Sequence, residues 1–375
     1  MLQIDHVYEF FGENLFKDFH TIFLPNGFLP TNITGDILDD MHVFNEDKIN
    51  KIFFYDQEPV LSNFIDPYLD FGKFRTNIDI LVTSEKSLLI NKICKNKNAQ
   101  SLYYFFHGFA ALYWYRGHYA LNYNKVIVKQ YKHDYIAFNR IINNDRSYRI
   151  YFVSLLKEQG LLDHGQVSFN VTDNLFDDWQ DETANPNSKL SINAKQHIEH
   201  HLTDISKLVI DRPELPGSAS ADIPRDVDAF WHVVTETVFY YDKLHLTEKI
   251  FKPIVSKQPF MLLAAPGNIA YLKSYGFKTF DSVIDETYDT IQDNDLRTRA
   301  VVDQLHWYCN LTPGEKTDII QQLEPIIDYN FHHFYGEFRH IIARELLDNT
   351  KTLFKDLGYN DSHINYTNIH HVLTQ

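Results

Sequence analysis

Cysteine is nearly absent: Cys94 and Cys309 are the only two in 375 residues. A distant pair without a spacing pattern excludes a disulfide framework and points to a reducing compartment. Basic runs are absent as well. The net charge is −15 and no Lys/Arg stretch reads as a nucleic-acid stripe, which counts against a DNA-tracking face. A local basic cleft stays open, because phosphate binding is a local matter. No apolar run approaches the ~18–20 residues of a membrane span. The opening MLQIDHVYEFFGENLF carries early acids, unlike a signal peptide. These absences predict a cytoplasmic protein, and the sequence shows no repeat and no low-complexity tract.

What is present is a well-packed composition, 44% apolar and 23% charged, rich in Phe and Tyr (29 and 23 residues). Many of these rings must be core; the rest suit the walls of a site for a polar, ring-shaped ligand. The length predicts two or three domains.

Short apolar runs recur at helix-length intervals. KIFFYDQEP (51–59), NIDILVTSEKS (77–87) and SLYYFFHGFA (101–110) each end in polar residues. DYIAFNR (134–140), GQVSFN (165–170), FWHVVTET (230–237), QPFMLLAAPG (258–267) and KTFDSVID (278–285) continue the series. Helices are expected over 147–163, 191–208, 247–258 and 268–277 and through most of 286–375, with Thr247 as an N-cap. Such alternation predicts α/β folding on parallel sheets. Ligands in these folds sit outside the carboxyl ends of the strands. The simplest architecture is two Rossmann-like halves facing a cleft: residues 1–130, residues 131–330, and a helical segment 331–375 packing back across both.

HLTEKIFKPIVSKQPFMLLAAPG (245–267) concentrates the chemistry. A helix starting at Thr247 presents unsatisfied N–H groups and a positive dipole end to an anion. Lys249 in the first turn is disfavoured by that dipole, by about 0.3–1 kcal/mol, unless an anion binds beside it. Glu248 can accept two hydroxyl hydrogen bonds, as a ribose diol offers, and the strand-end acid Glu236 can face the same place. The plain alternative is a capped helix with a solvated lysine. Arg140, Arg146 and Arg149 lie at the first strand-to-helix turn of the second half, where guanidinium forks suit a diphosphate. A surface salt-bridge cluster explains them equally well. The Pro266-Gly267 turn lets backbone approach a ligand.

In the first half, Asp56, Glu58 and His107 are strand-end candidates for a general base. Asp56 can instead cap a turn, and Glu58 can be merely exposed. The run YYFFHGFAALYWYRGHY (103–119) reads mainly as core, with Tyr113, Trp114 and Arg116 as the residues to stack on or hold an acceptor. Asp226-Val227-Asp228 and Asp293-Asn294-Asp295 read as solvated acids. FHHFYGEFRH (331–340) matches no zinc spacing and reads as a helix. Lys125, Lys129, Lys132 and His133 read as a solvated linker, or as the rim that a DNA acceptor would need.

Across 134–285 the Asn-Arg strand end, the Arg-bearing helix and the Thr-Glu-Lys block resemble the C-terminal domain of GT-B glycosyltransferases. The likeness is to the fucosyltransferase-like group and to phage-type glycosyltransferases, which implies the host cytoplasm if the chain is phage-encoded. The first 130 residues match loosely, through Asp-Gln-Glu-Pro and His-Gly. The resemblance implies a nucleotide-sugar donor as co-substrate, no metal and no other cofactor, in a hexosyl- or pentosyltransferase. It places Arg140, Arg149 and Lys249 on phosphate and Glu248 on ribose, with Arg146 depending on helix phase. The acceptor is a saccharide or a hydroxymethylated DNA base, and the acidic charge favours the saccharide. KPIVS and KQPF lack the Ala-Gly pair common in fucosyltransferases, so donor identity does not carry over. A non-catalytic nucleotide- or glycan-binding protein, or a nucleotide-sugar isomerase, are the competing expectations.

Overall fold

The computed structural model describes residues 7–8, 10–16, 20–23, 36–37, 51–59, 79–97, 99–125, 127, 131–139, 141–142, 144–169, 179–203, 228–362 and 364–365. The chain is a mixed α/β protein with parallel sheets, dividing into two compact units, Met1–Arg116 with Gly336–Gln375, and Gly117–Tyr335.

The first unit holds β1 (His20–Phe23), β2 (Asp36–Ile37), β3 (Lys51–Tyr55), β4 (Asp79–Thr83), α1 (Leu88–Lys97), β5 (Ala99–Tyr103) and α2 (Phe106–Trp114). Its strands run parallel in the order β2-β1-β3-β4-β5. Ile52, Phe53, Phe54, Ile80, Leu81 and Val82 are all buried, the continuous apolar pattern of a sheet covered on both faces. Edge-to-face ring pairs consolidate the core: Tyr8 on Phe54 at 5.5 Å, Phe11 on Tyr104 at 5.2 Å.

The second unit holds β6 (His133–Ala137), α3 (Tyr148–Glu158), β7 (Gly165–Val167), α4 (Ile192–His201), β8 (Ala229–Thr235), α5 (Phe251–Val255), β9 (Phe260–Leu263), α6 (Asn268–Ser274), α7 (Asn294–Cys309) and α8 (Pro313–His333). Its sheet is parallel, in the order β9-β8-β6-β7. Helices α4 and α7 pack on α3. After a π-helical turn, Phe334–Phe338, helix α9 (Arg339–Asp356) packs on β5 and α2 of the first unit. Among the described residues no helix is long and apolar enough to cross a membrane.

Two expected elements differ. KTFDSVID is not a strand but a run of turns. Phe280 is buried against Trp231 and Phe260, as a strand residue would be. The backbone, however, is taken by side chains. Glu286 accepts the Phe280 N–H at 2.7 Å, and Asn330 accepts the Lys278 N–H at 2.9 Å and donates to the Lys278 carbonyl at 2.8 Å. Residues 247–258 form a 3₁₀ turn, Glu248–Ile250, followed by the five-residue α5, not one helix. Lys257 ends it with φ of 53°.

Candidate functional site

In the second unit, β6 has β7 on one side and β8 on the other, so the chain reverses its winding between β6 and β8. That switch point, at the carboxyl ends, is where an open parallel sheet offers a crevice. Beyond β8 come Glu236 and Thr237; beyond β6, Phe138 and Asn139.

Glu236 is fully buried. Its carboxylate accepts the Thr247 hydroxyl at 2.6 Å, the Thr247 N–H at 3.1 Å and the Thr237 N–H at 3.2 Å. A buried carboxylate is tolerated only with such partners. Thr247 is extended and acts as the N-cap foreseen for it, although the turn it caps is 3₁₀. Lys249 closes the cluster. Its Nζ donates to Glu248 Oε1 at 3.0 Å, Thr247 Oγ1 at 3.2 Å and Thr237 Oγ1 at 3.3 Å. Its side chain keeps 24% exposure against 4% for Glu248, so the ammonium is the member within reach of a solute.

Arg149 is buried and serves the main chain: Nη1 donates to Ile141 O at 2.9 Å, and Nη2 to Thr235 O at 2.6 Å and Glu236 O at 3.3 Å. The Tyr148 hydroxyl also donates to Glu236 O, at 2.6 Å. The Arg149 guanidinium thus orders the end of β8. Its Nε–H is buried without a hydrogen-bond partner, as are both polar atoms of the Asn139 side chain beyond β6. Arg146 is half-buried in a 3₁₀ turn, Asn144–Arg146. Arg140 lies outside the described residues.

The Pro266-Gly267 turn has the expected left-handed glycine, φ 85°, but its helix start is already filled. Asp289 accepts the N–H groups of Ile269 and Ala270 at 3.1 and 3.4 Å. Burial pushes that carboxyl up to about 6, against the pull of those amides. The sequence pattern does not show Arg297. It is buried, donating to the carbonyls of Ala264, Phe239 and Ile291 at 3.0, 2.8 and 2.7 Å. Its partners Ala264 and Phe239 lie 33 and 58 residues away in the chain, so this arginine carries no local signal.

In the first unit, Asp56 follows β3 and is buried between the hydroxyls of Tyr8 (3.1 Å) and Tyr104, which both donate to it. Burial pushes its carboxyl from 3.8 to about 6, while the two tyrosine hydrogen bonds pull it down. The Ser84 hydroxyl donates to the Asp56 carbonyl. His107 is buried in α2 with Nε2 at 2.9 Å from the Gln57 carbonyl. A carbonyl only accepts, so Nε2 carries a proton and donates it. Glu58 is exposed. At the end of α2, Tyr113 and Trp114 are half-buried and the Arg116 guanidinium lies 4.2 Å over the Tyr113 ring. Of the other rings of that run, Tyr104, Phe105, Phe106, Phe109 and Tyr115 are core, whereas Tyr103 is half-buried and Tyr119 exposed.

Asp293 caps α7, accepting the Leu296 N–H at 2.9 Å, and Asp295 accepts from the Ser191 hydroxyl at 2.5 Å. Asp226 and Val227 lie outside the described residues, as does Lys129. Lys125 is tied to the Ser256 carbonyl at 2.7 Å, Lys132 is exposed and His133 is half-buried. His333 donates to the Tyr275 carbonyl at 2.7 Å and His332 pairs with Asp328 at 3.6 Å.

Fold and site together define an α/β protein with polar clusters at the carboxyl ends of two parallel sheets. Comparison with protein-family models, with curated proteins and with solved structures gives no match.

Proposed function

We propose that this chain is a GT-B-type glycosyltransferase that moves a sugar from a nucleotide-sugar donor to an acceptor hydroxyl without a metal. The observation that carries the reading is the Glu236–Thr247–Lys249 cluster at the switch point of the second sheet. A rigid, buried carboxylate and threonine there hold a partly exposed ammonium where a ligand's phosphates would arrive.

In this reading the Gly117–Tyr335 unit takes the donor and the other unit takes the acceptor. On donor binding the Lys249 ammonium turns from Glu248 to the diphosphate, and the freed Glu248 carboxylate accepts from the ribose diol. Lys249 offsets the charge that develops on the departing diphosphate. Arg146 and Arg140 are the further phosphate candidates, while Arg149 acts through the main chain of β8. The exposed Glu58 removes the acceptor's hydroxyl proton, with His107 Nδ1 as the other candidate base. Asp56, sealed between two tyrosines, supports that loop. The acceptor oxygen bonds to the anomeric carbon. The bond from that carbon to phosphate oxygen breaks, and its electron pair leaves with the nucleoside diphosphate. Tyr113, Trp114 and Arg116 supply a stacking and hydrogen-bonding surface for the acceptor. A saccharide acceptor fits the net charge of −15 better than DNA does.

Calorimetry and thermal shift against UDP-, GDP-, ADP- and CMP-sugars, without metal, test the reading. One nucleotide should bind, and Lys249→Ala should weaken it about 10-fold or more. Glu58→Gln should keep donor binding and lose nucleoside diphosphate release with a saccharide acceptor. No binding by folded protein overturns the proposal. Binding with biological activity indifferent to Glu58→Gln points to the non-catalytic protein, and donor conversion without acceptor to an isomerase.

A further inference from the structure

We propose that Glu158, His197 and His201 form a binding site for one divalent transition-metal ion of the zinc class on the Gly117–Tyr335 unit. The two histidines are one turn apart on α4, and Glu158 is the last residue of α3. Their ligand atoms all lie within 4.8 Å of one another. His197 Nε2 is 3.0 Å from Glu158 Oε2, and His201 Nε2 is 3.8 Å from Oε1. Ligands about 2.0–2.1 Å from a tetrahedral zinc ion stand about 3.4 Å apart, between those two separations. Two imidazoles and a carboxylate are a donor set for zinc, cobalt or nickel, and three ligands leave a fourth position for water.

A second observation is independent of this spacing. The Ser154 hydroxyl donates its one proton to the Tyr151 carbonyl at 2.7 Å. Its 2.9 Å contact with His197 Nδ1 must then be one in which the ring N–H donates. That sets the tautomer, with the lone pair on Nε2. Although only 3.0 Å from the carboxylate, Nε2 makes no hydrogen bond of acceptable geometry, and the His197 side chain is 10% exposed. Two electron-rich atoms are thus held face to face, the imidazole nitrogen buried and the carboxylate at the surface with 35% side-chain exposure, which a shared cation would relieve. The Ser154–His197 contact is the kind of outer-shell bond that orients a ligating imidazole. Tyr151 packs edge-on against the same ring at 5.4 Å. One cation already approaches: Arg299 Nη1 is 3.6 Å from Glu158 Oε2, with its side chain 40% exposed and its guanidinium 5.5 Å over the Tyr151 ring.

The other three-residue group, Asp134, His164 and Cys309, does not carry the same inference. The Lys316 ammonium holds Asp134 Oδ1 at 2.7 Å, and burial pushes the Cys309 thiol up to about 12, far from the thiolate a metal takes.

Glu158 lies nine residues beyond Arg149 on α3, about 13 Å along the axis. The ion would therefore staple α3 to α4 and take no part in the transfer step. The inference is independent of the proposed function.

The experiment is calorimetric titration of the full, chelator-stripped chain with zinc chloride, with cobalt(II) absorption as a coordination signature. One equivalent should bind, with a raised melting temperature. His201→Ala and Glu158→Gln should each weaken it about 100-fold or more, and Ser154→Ala about 10-fold. His200→Ala and His164→Ala should leave it unchanged. The zinc-free melting temperature of each variant shows that it folds. No uptake by wild type at about 100-fold excess of zinc overturns the proposal. So does uptake indifferent to both His201→Ala and Glu158→Gln, or uptake lost in His164→Ala.

Discussion

The Thr247 hydroxyl donates to Glu236 Oε2 at 2.6 Å while the Thr247 N–H donates to Oε1 at 3.1 Å, so one residue engages both oxygens of a buried carboxylate. This two-point grip fixes the loop between β8 and the 3₁₀ turn, and with it the position of Lys249. Removing the hydroxyl while keeping the shape should cost about 1–2 kcal/mol, since the lost partner is charged. Urea unfolding of Thr247→Val against Thr247→Ser measures it: Val should lower the midpoint and Ser should restore most of it. Equal midpoints for Val and wild type would show that the grip contributes nothing.

Arg149 makes its three carbonyl contacts with a planar fork. Lysine offers one point charge in its place and cannot reproduce the geometry. Arg149→Lys should therefore cost about 2 kcal/mol and loosen the end of β8. Hydrogen exchange at the amides of residues 233–237 reads the second effect. Unchanged protection would refute the clamp.

Asp56 makes the first unit sensitive to pH. Burial raises its carboxyl from 3.8 to about 6 in the folded chain. The protonated form is therefore favoured by folding, and the stability it contributes is fully present below about pH 3.8. That contribution is lost as pH rises through about 6. Relative to Asp56→Asn, wild type should lose on the order of 3 kcal/mol between pH 4 and 7. Asp289 titrates in the same direction, so the difference between the two proteins, not the wild-type curve alone, is the quantity to measure. Parallel curves would sink the prediction.

Two glycines should respond differently to alanine. A Cβ on Gly165 would lie 2.3 Å from Tyr135 Cζ, in a buried ring whose hydroxyl is bonded to the Leu161 carbonyl at 3.0 Å. That overpacking should cost about 3 kcal/mol, and Tyr135→Leu should recover part of it. On Gly267 the nearest atom is Leu244 Cδ2 at 3.4 Å, an ordinary contact, and only its φ of 85° resists. Gly267→Ala should cost about 1–2 kcal/mol. Denaturant midpoints in the reverse order would contradict both arguments.

The parallel-sheet character of this protein was legible in the sequence, because strands covered on both faces need unbroken apolar runs such as KIFFY and FMLL. The polar residues at their ends were legible for the same reason: a run stops where the chain leaves the core. Hence Asp56, Glu236 and the Thr247–Lys249 triplet stood out. Partners distant in the chain were not. Phe280 has the apolar pattern of a strand, but only the fold brings Glu286 and Asn330 to its backbone. Asp289 on the start of α6, and Arg149 on carbonyls in place of a phosphate, were equally hidden. His197 and His201 show a helical spacing by themselves, whereas Glu158 reaches them only because α3 and α4 pack together. Local pattern determined which segments became strands and helices. Tertiary packing alone decided which charge met which partner, because a buried polar group takes whatever donor or acceptor the fold brings within 3 Å.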